Sequence, residues 1–247
     1  MSPLLGLKST PLKKVFFILL IGSSLFFSCK KESFIAPAES CLLQTDNPNS
    51  RSYSADSLMA VTYTGKNCGL LPLNKNNYWI YQDSMFNNGV FQNVQYDTLR
   101  FDKTYLSLSD NLIWWQANME VGLPDLLYSS DSSIFSIEQR MFSPTDPIWD
   151  ARKEFSLFSG ETANYLAHFD DNAAQGKSIK LDGDLATPAG EFPDCIQFEK
   201  NARSYRKDEI FFKPGIGVVK YTQEKAPMGT TVIKLQQIST LVGFHIE

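Results

Sequence analysis

From about residue 70 onward, apolar and polar side chains alternate with a period of two, the pattern of strands that bury one face and wet the other. Thr104, Leu106 and Leu108 alternate with Tyr105, Ser107 and Ser109. Ile179, Leu181 and Leu185 alternate with Ser178, Lys180, Asp182 and Asp184, and Ile196 and Phe198 with Cys195, Gln197 and Glu199. Two aromatic-rich runs, Tyr78 to Phe86 and Val90 to Phe101, flank Asn87-Asn88-Gly89, and an Asn-Gly dipeptide in that setting predicts a hairpin turn. Further strands are expected over Leu112 to Ala117, Ile134 to Phe142, Ile210 to Lys213, Val218 to Thr222 and Val232 to Ile238. Pro214-Gly215-Ile216-Gly217 reads as a tight reversal. No long window carries helical periodicity, and only Trp149 to Phe158 reads as a short helix. The expected fold is mainly β: a single antiparallel sheet, strongly curled or sandwich-like, with few short helices.

The N-terminus follows a different pattern. Lys8, Lys13 and Lys14 precede Val15 to Phe27, an uncharged and mostly apolar stretch of 13 residues. A membrane span needs about 20 such residues, so this length fits the core of a signal peptide. The stretch closes on Leu25-Phe26-Phe27-Ser28-Cys29, which resembles a bacterial lipobox, with Leu at −4, a small Ser at −1 and then the Cys; Phe27 departs from the small residue common at −2. The resemblance implies cleavage after Ser28, lipidation of the Cys29 thiol and acylation of its new amine. One acyl chain holds a protein only marginally, whereas three anchor it firmly, each buried methylene adding roughly 0.8 kcal/mol.

Three segments are therefore expected: a signal peptide over 1–28, a lipid anchor and flexible arm over 29–69, and one β-rich domain over 70–247. The arm is polar and punctuated by Pro37 and Pro48. With Cys29 lipidated, Cys41, Cys68 and Cys195 remain, and in an oxidising compartment Cys41 with Cys68 is the expected disulfide. The other reading keeps those thiols reduced and buried. Cys195 is left as a small core residue.

Composition narrows the partners. The chain carries 23 basic and 27 acidic residues, and its three leader charges are all lysines, so nothing suggests nucleic acid. The expected membrane contact runs through the lipid alone.

A second resemblance joins three pieces. Pro72-Leu73 with Asn77-Tyr78-Trp79-Ile80-Tyr81-Gln82-Asp83-Ser84, then Thr187-Pro188-Ala189-Gly190-Glu191-Phe192, then Phe212 to Lys220, are similar to a family of uncharacterised bacterial outer-membrane lipoproteins. That likeness implies a β-rich, lipid-anchored body in a Gram-negative envelope, at the outer membrane, on its periplasmic face or the cell surface, and it implies no chemistry.

Candidate chemistry is sparse. His168 and His245 are the only imidazoles, and neither has a partner at metal-ligand spacing, so no metal and no cofactor is expected. Gly176-Lys177-Ser178 copies the end of a phosphate loop, but Asp171 stands where that loop needs its first glycine. No Gly-x-Ser-x-Gly occurs. Trp114 and Trp115 are the candidate ligand platform, since neighbours on a strand point to opposite faces and one would be free to stack on a sugar. Three readings of function follow. The first is a non-catalytic envelope-associated binding module. The second is a carrier of hydrophobic ligands or of lipoproteins, with a cavity in a curled sheet lined by Leu106, Leu108, Ile179 and Leu181. The third is a secreted glycan hydrolase or glycan-binding surface protein.

Overall fold

Among the described residues, strand pairing is antiparallel throughout and falls into three sheets. A computed structural model describes residues 52–54, 57–141, 147–158, 160, 162–163 and 174–247. Its strands are β1 (Ser52–Ser54), β2 (Leu58–Val61), β3 (Tyr78–Asn87), β4 (Val90–Leu99), β5 (Lys103–Ser107), β6 (Ile113–Gln116), β7 (Leu126–Ser129), β8 (Ser133–Met141) and β9 (Pro147–Ser156). They continue with β10 (Thr162–Ala163), β11 (Gln175–Lys180), β12 (Leu185–Thr187), β13 (Gly190–Phe192), β14 (Ile196–Ala202), β15 (Arg206–Lys213), β16 (Gly217–Lys225) and β17 (Lys234–His245).

The seven-stranded sheet runs β1-β9-β8-β7-β6-β5-β2, the eight-stranded sheet β10-β11-β14-β15-β16-β17-β3-β4, and β12 with β13 forms a small hairpin sheet. The expected single sheet is thus corrected to three. The reason lies in the crossing after β4. Arg100 to Asp102 carries the chain from one large sheet to the other, and Phe101 plugs the crossing edge-on to Trp79, centroids 5.8 Å apart. The C-terminal strand β17 then pairs with β3, which draws the early β3–β4 hairpin into the late sheet.

The two large sheets share one apolar core. Trp115, Leu127, Ile134 and Phe155 enter it from the first sheet, and Trp79, Tyr81, Phe198, Ile210, Phe212 and Leu241 from the second. Phe155 stacks on Phe198 at 4.3 Å between centroids. A second cluster, Tyr53, Leu112, Trp114, Tyr128, Phe135, Ile137 and Ala151, belongs to the seven-stranded sheet alone.

Several local expectations meet the structure directly. Asn88 and Gly89 sit at φ 52° and 85°, both left-handed, as a two-residue hairpin turn requires. Residues 147–156 are strand β9, not the expected helix, because the segment is paired on both sides, with β1 and with β8. The alternation over 178–185 also shifts phase. Gly176 and Ser178 are buried while Ile179 is half-buried, since the small residues sit opposite the bulky Lys200 and Phe198 on β14. Residues 52–54 and 58–61, assigned above to the arm, are strands of the seven-stranded sheet.

Candidate functional site

The inner face of the eight-stranded sheet has an apolar half and a polar half. Register explains the division. One cross-strand row runs Ile210–Tyr221–Ser239–Asp83–Gln95, and the next runs Lys200–Asp208–Gln223–Gln237–Met85–Asn93. Trp79, Tyr81 and Leu241 lie toward the apolar side, and beyond them β3 and β17 continue with the same inward phase into Asp83 and Ser239, 1% and 0% exposed. The polar half opens from this buried floor to half-buried Asp97 and Gln237 and exposed Gln95.

At one end Arg206 organises a closed network. Its Nε donates to Asp208 Oδ1 at 3.0 Å and its Nη2 to Asp208 Oδ2 at 2.7 Å, a two-point grip that a lysine has no geometry to make. The same Nη2 donates to Glu120, on the connection between β6 and β7. Tyr221 donates to Asp208 Oδ2 at 3.1 Å, and Gln223 Nε2 reaches Glu120 Oε1 at 3.1 Å and the Tyr221 oxygen at 2.6 Å. Burial disfavours the charged guanidinium, but the hydrogen bonds and charge of Asp208, with Tyr221 and Glu120, outweigh it and raise the Arg206 pKa. Burial first, then the Asp208 and Glu120 charges, hold the Tyr221 phenol well above its ordinary value, so it stays a neutral donor. This end is electrostatically settled and positions the β6–β7 connection over β15 and β16, where Gly122 lies directly against Ile210 and Tyr221.

Asp83 is different. Its Oδ1 is buried and meets no hydrogen-bond partner. Burial raises its pKa; hydrogen bonding from Ser239 works against that, the neighbouring Asp97 carboxyl adds to it, and Gln237 again lowers it, the net direction being upward. Asp97 in turn accepts from Gln95 Nε2 at 2.9 Å, and Gln237 Nε2 donates to Ser239 Oγ at 2.9 Å. The floor therefore sets a carboxyl oxygen with open capacity among amides, a hydroxyl and a second carboxylate. Such a set exchanges hydrogen bonds with hydroxyl or amine groups and contains no activated nucleophile.

The residues expected from sequence fall elsewhere. Trp114 and Trp115 do point to opposite faces, but both are fully buried. Trp114 meets Tyr53 edge-on at 6.0 Å in one core, and Trp115 meets Tyr63 edge-on at 5.8 Å in the other, so neither presents a stacking face. Tryptophan volume was needed inside because this sheet buries both of its faces. Cys29 and Cys41 lie outside the described residues, as does His168. Cys68 is disulfide-bonded. Cys195, read above as a small core residue although it alternates with apolar Ile196 and Phe198, is buried and free, its Sγ 3.4 Å from the Phe192 carbonyl oxygen, with burial raising its pKa. The phosphate-loop mimic Gly176-Lys177-Ser178 is part of strand β11. Leu106 and Leu181 pack against the shared core while Leu108 is 54% exposed, so the four residues named for a carrier cavity line no common surface. Among the described residues no group of three or more His, Cys, Asp or Glu is arranged to hold a metal ion. In the sequence Asp83 stands near the close of an aromatic strand motif, and nothing local marks its burial.

Two of the motif pieces meet in space. The Trp79 indole donates to the Ile216 carbonyl at 2.7 Å and the Tyr81 hydroxyl to the Val218 carbonyl at 2.8 Å, which pins the glycine-bearing reversal to β3.

No protein-family model matches the chain, and no curated protein matches it. Two solved structures are similar to it. One is a candidate exported protein with a YmcC-like fold from Bacteroides fragilis, 14% identical, covering 72% of this chain and 99% of that one, TM-score 0.34. The other is a candidate lipoprotein from Parabacteroides distasonis, 12% identical, with the same 72% and 99% coverage and TM-score 0.35.

Proposed function

We propose that this protein is an envelope lipoprotein, moored through acyl chains on Cys29, whose β-body is a non-catalytic binding module. The attachment rests on the sequence: a basic leader, a 13-residue apolar run and a lipobox-like close on Cys29. The disulfide at Cys68 supports an oxidising compartment, where such bonds form and persist. With Cys29 acylated, Cys41 is the partner left for Cys68.

The observation that carries the binding role is Asp83: a carboxyl oxygen buried without a hydrogen-bond partner, in a cross-strand row between the Ser239 hydroxyl side and the exposed amide of Gln95. Buried polar groups are ordinarily satisfied, and an exception in a polar row is where a ligand's hydroxyl or amine would complete the set. This favours a glycan or similarly hydroxyl-rich ligand over an apolar one. Titration calorimetry of the extracted protein against soluble polysaccharides tests it. Binding that weakens at least ~10-fold in Asp83→Asn, as expected for loss of a charged hydrogen bond, supports the reading. Equal binding by wild type and Asp83→Asn, or no binding to any glycan, counts against it.

A further inference from the structure

We propose that the edge of β4, unpaired by any strand among the described residues, is a self-association surface, on which a second copy of this chain pairs antiparallel over Asn93–Asp97. Edges of sheets present unpaired N–H and C=O groups, and proteins blunt them with short strands, charges, proline or covering loops. Among the described residues, the other edge strands of the two large sheets are short: three residues in β1, four in β2 and two in β10. β4 has ten, and from Val90 to Tyr96 it carries no charge and no proline. Val90, Phe91, Val94 and Tyr96 on it are 65%, 55%, 43% and 65% exposed.

The open stretch has defined ends. On one side Asn118 occupies the edge: its Nδ2 donates to the Thr98 carbonyl at 3.0 Å, its Oδ1 accepts from the Arg100 N–H at 2.8 Å, and its own N–H donates to the Arg100 carbonyl at 3.2 Å. On the other side the register shifts beside Gln92, where Met85 pairs with Asn93 but Phe86 with Phe91. The turn then folds back toward β17, Gly89 N–H donating to the Leu235 carbonyl at 3.0 Å, so the chain leaves the line of the edge. Because the Thr98 carbonyl faces the edge, the period of two directs the backbone groups of Tyr96 and Val94 the same way.

Self-complementarity identifies the occupant. A two-fold axis through Gln95 places Val94 opposite Tyr96 of the second copy, and again in reverse, as two hydrogen-bonded pairs. Gln95 then faces its own equivalent in the closer, non-hydrogen-bonded spacing, and Asn93 faces Asp97 as an amide opposite a carboxylate. Apolar meets apolar on one face and amide meets carboxylate or amide on the other, with no like charges opposed.

The test uses the full chain in its membrane. Gln95→Cys is expected to give a reductant-sensitive band at twice the monomer mass, since Cα atoms of a non-hydrogen-bonded pair lie about 4.5 Å apart, within disulfide reach. Leu108→Cys, exposed on the other large sheet, is expected to stay monomeric. In the Gln95→Cys background, Asn93→Asp opposes two carboxylates and should lower the cross-linked fraction ~10-fold, while Asn93→Lys should maintain or raise it. Misfolding would not produce that opposite pair of effects. A Gln95→Cys chain that stays monomeric, joins a protein of different mass, or cross-links equally with aspartate and lysine at position 93 overturns the proposal.

Discussion

Lys200 on the eight-stranded sheet meets Glu154 on the seven-stranded sheet at 3.1 Å, with both side chains essentially inaccessible, 1% and 0%. Ser136 donates to Glu154 Oε1 at 3.0 Å, and the Lys200 ammonium lies 4.7 Å from the centre of the Phe155 ring. A charge pair in that position contributes little against a well-packed apolar equivalent, but removing one partner strands the other in low dielectric.

Lys200→Met should therefore destabilise the domain by about 3–5 kcal/mol, read from urea unfolding. Adding Glu154→Gln should restore much of that loss. A single variant as stable as wild type would show that Glu154 is not held by Lys200.

Gly122 combines a φ of +79° with direct contact on Ile210 and Tyr221. A methyl group there overlaps both and forces strained backbone. Gly122→Ala should cost about 2–4 kcal/mol, and Gly183→Ala, at φ +99° with open space around it, about 1 kcal/mol. Comparable losses at both positions would mean that backbone strain alone acts at residue 122.

Asp83 gives a pH signature with a definite sign. Its folded pKa is raised, so the native state holds the proton more tightly than the unfolded chain does. The stability it contributes is present below the unfolded carboxyl value of about 4 and is lost as pH rises through the raised folded value. Wild type should thus lose stability relative to Asp83→Asn as pH increases from the acid side, then run parallel to it. Denaturation series of both proteins across pH check this, and a difference that grows in wild type's favour would contradict it.

The proposed Cys41–Cys68 disulfide would close a loop that restrains the unfolded chain, and its reduction is expected to lower stability by roughly 3–4 kcal/mol in the chain-entropy model. Peptide mapping without reductant should recover those two cysteines linked. A linked pair containing Cys29 would contradict acylation at that sulfur.

The local features of this fold were legible because local chemistry determines them. Asn88-Gly89 demands left-handed backbone, and the inward phase of Ile196 and Phe198 is visible in their alternation. What eluded the pattern depends on distant partners. Small Gly176 and Ser178 face inward only because Phe198 and Lys200 on the next strand need the space. The β17–β3 pairing joins residues such as Ser239 and Asp83 across most of the domain, and no local signal announces it. The candidate site suffered most. Asp83 reads as the polar end of an aromatic strand, and its buried surroundings come from Ser239 and Gln237 on the distant strand β17. Adjacent Trp114 and Trp115 read as a surface platform, yet this sheet buries aromatics on both faces.

Intact mass of the membrane-extracted protein probes the attachment most directly. A chain starting at Cys29 and carrying three acyl groups, with Cys29→Ser released into the soluble fraction, is the predicted result. An unprocessed chain, or a cleaved one without acyl mass, would contradict it.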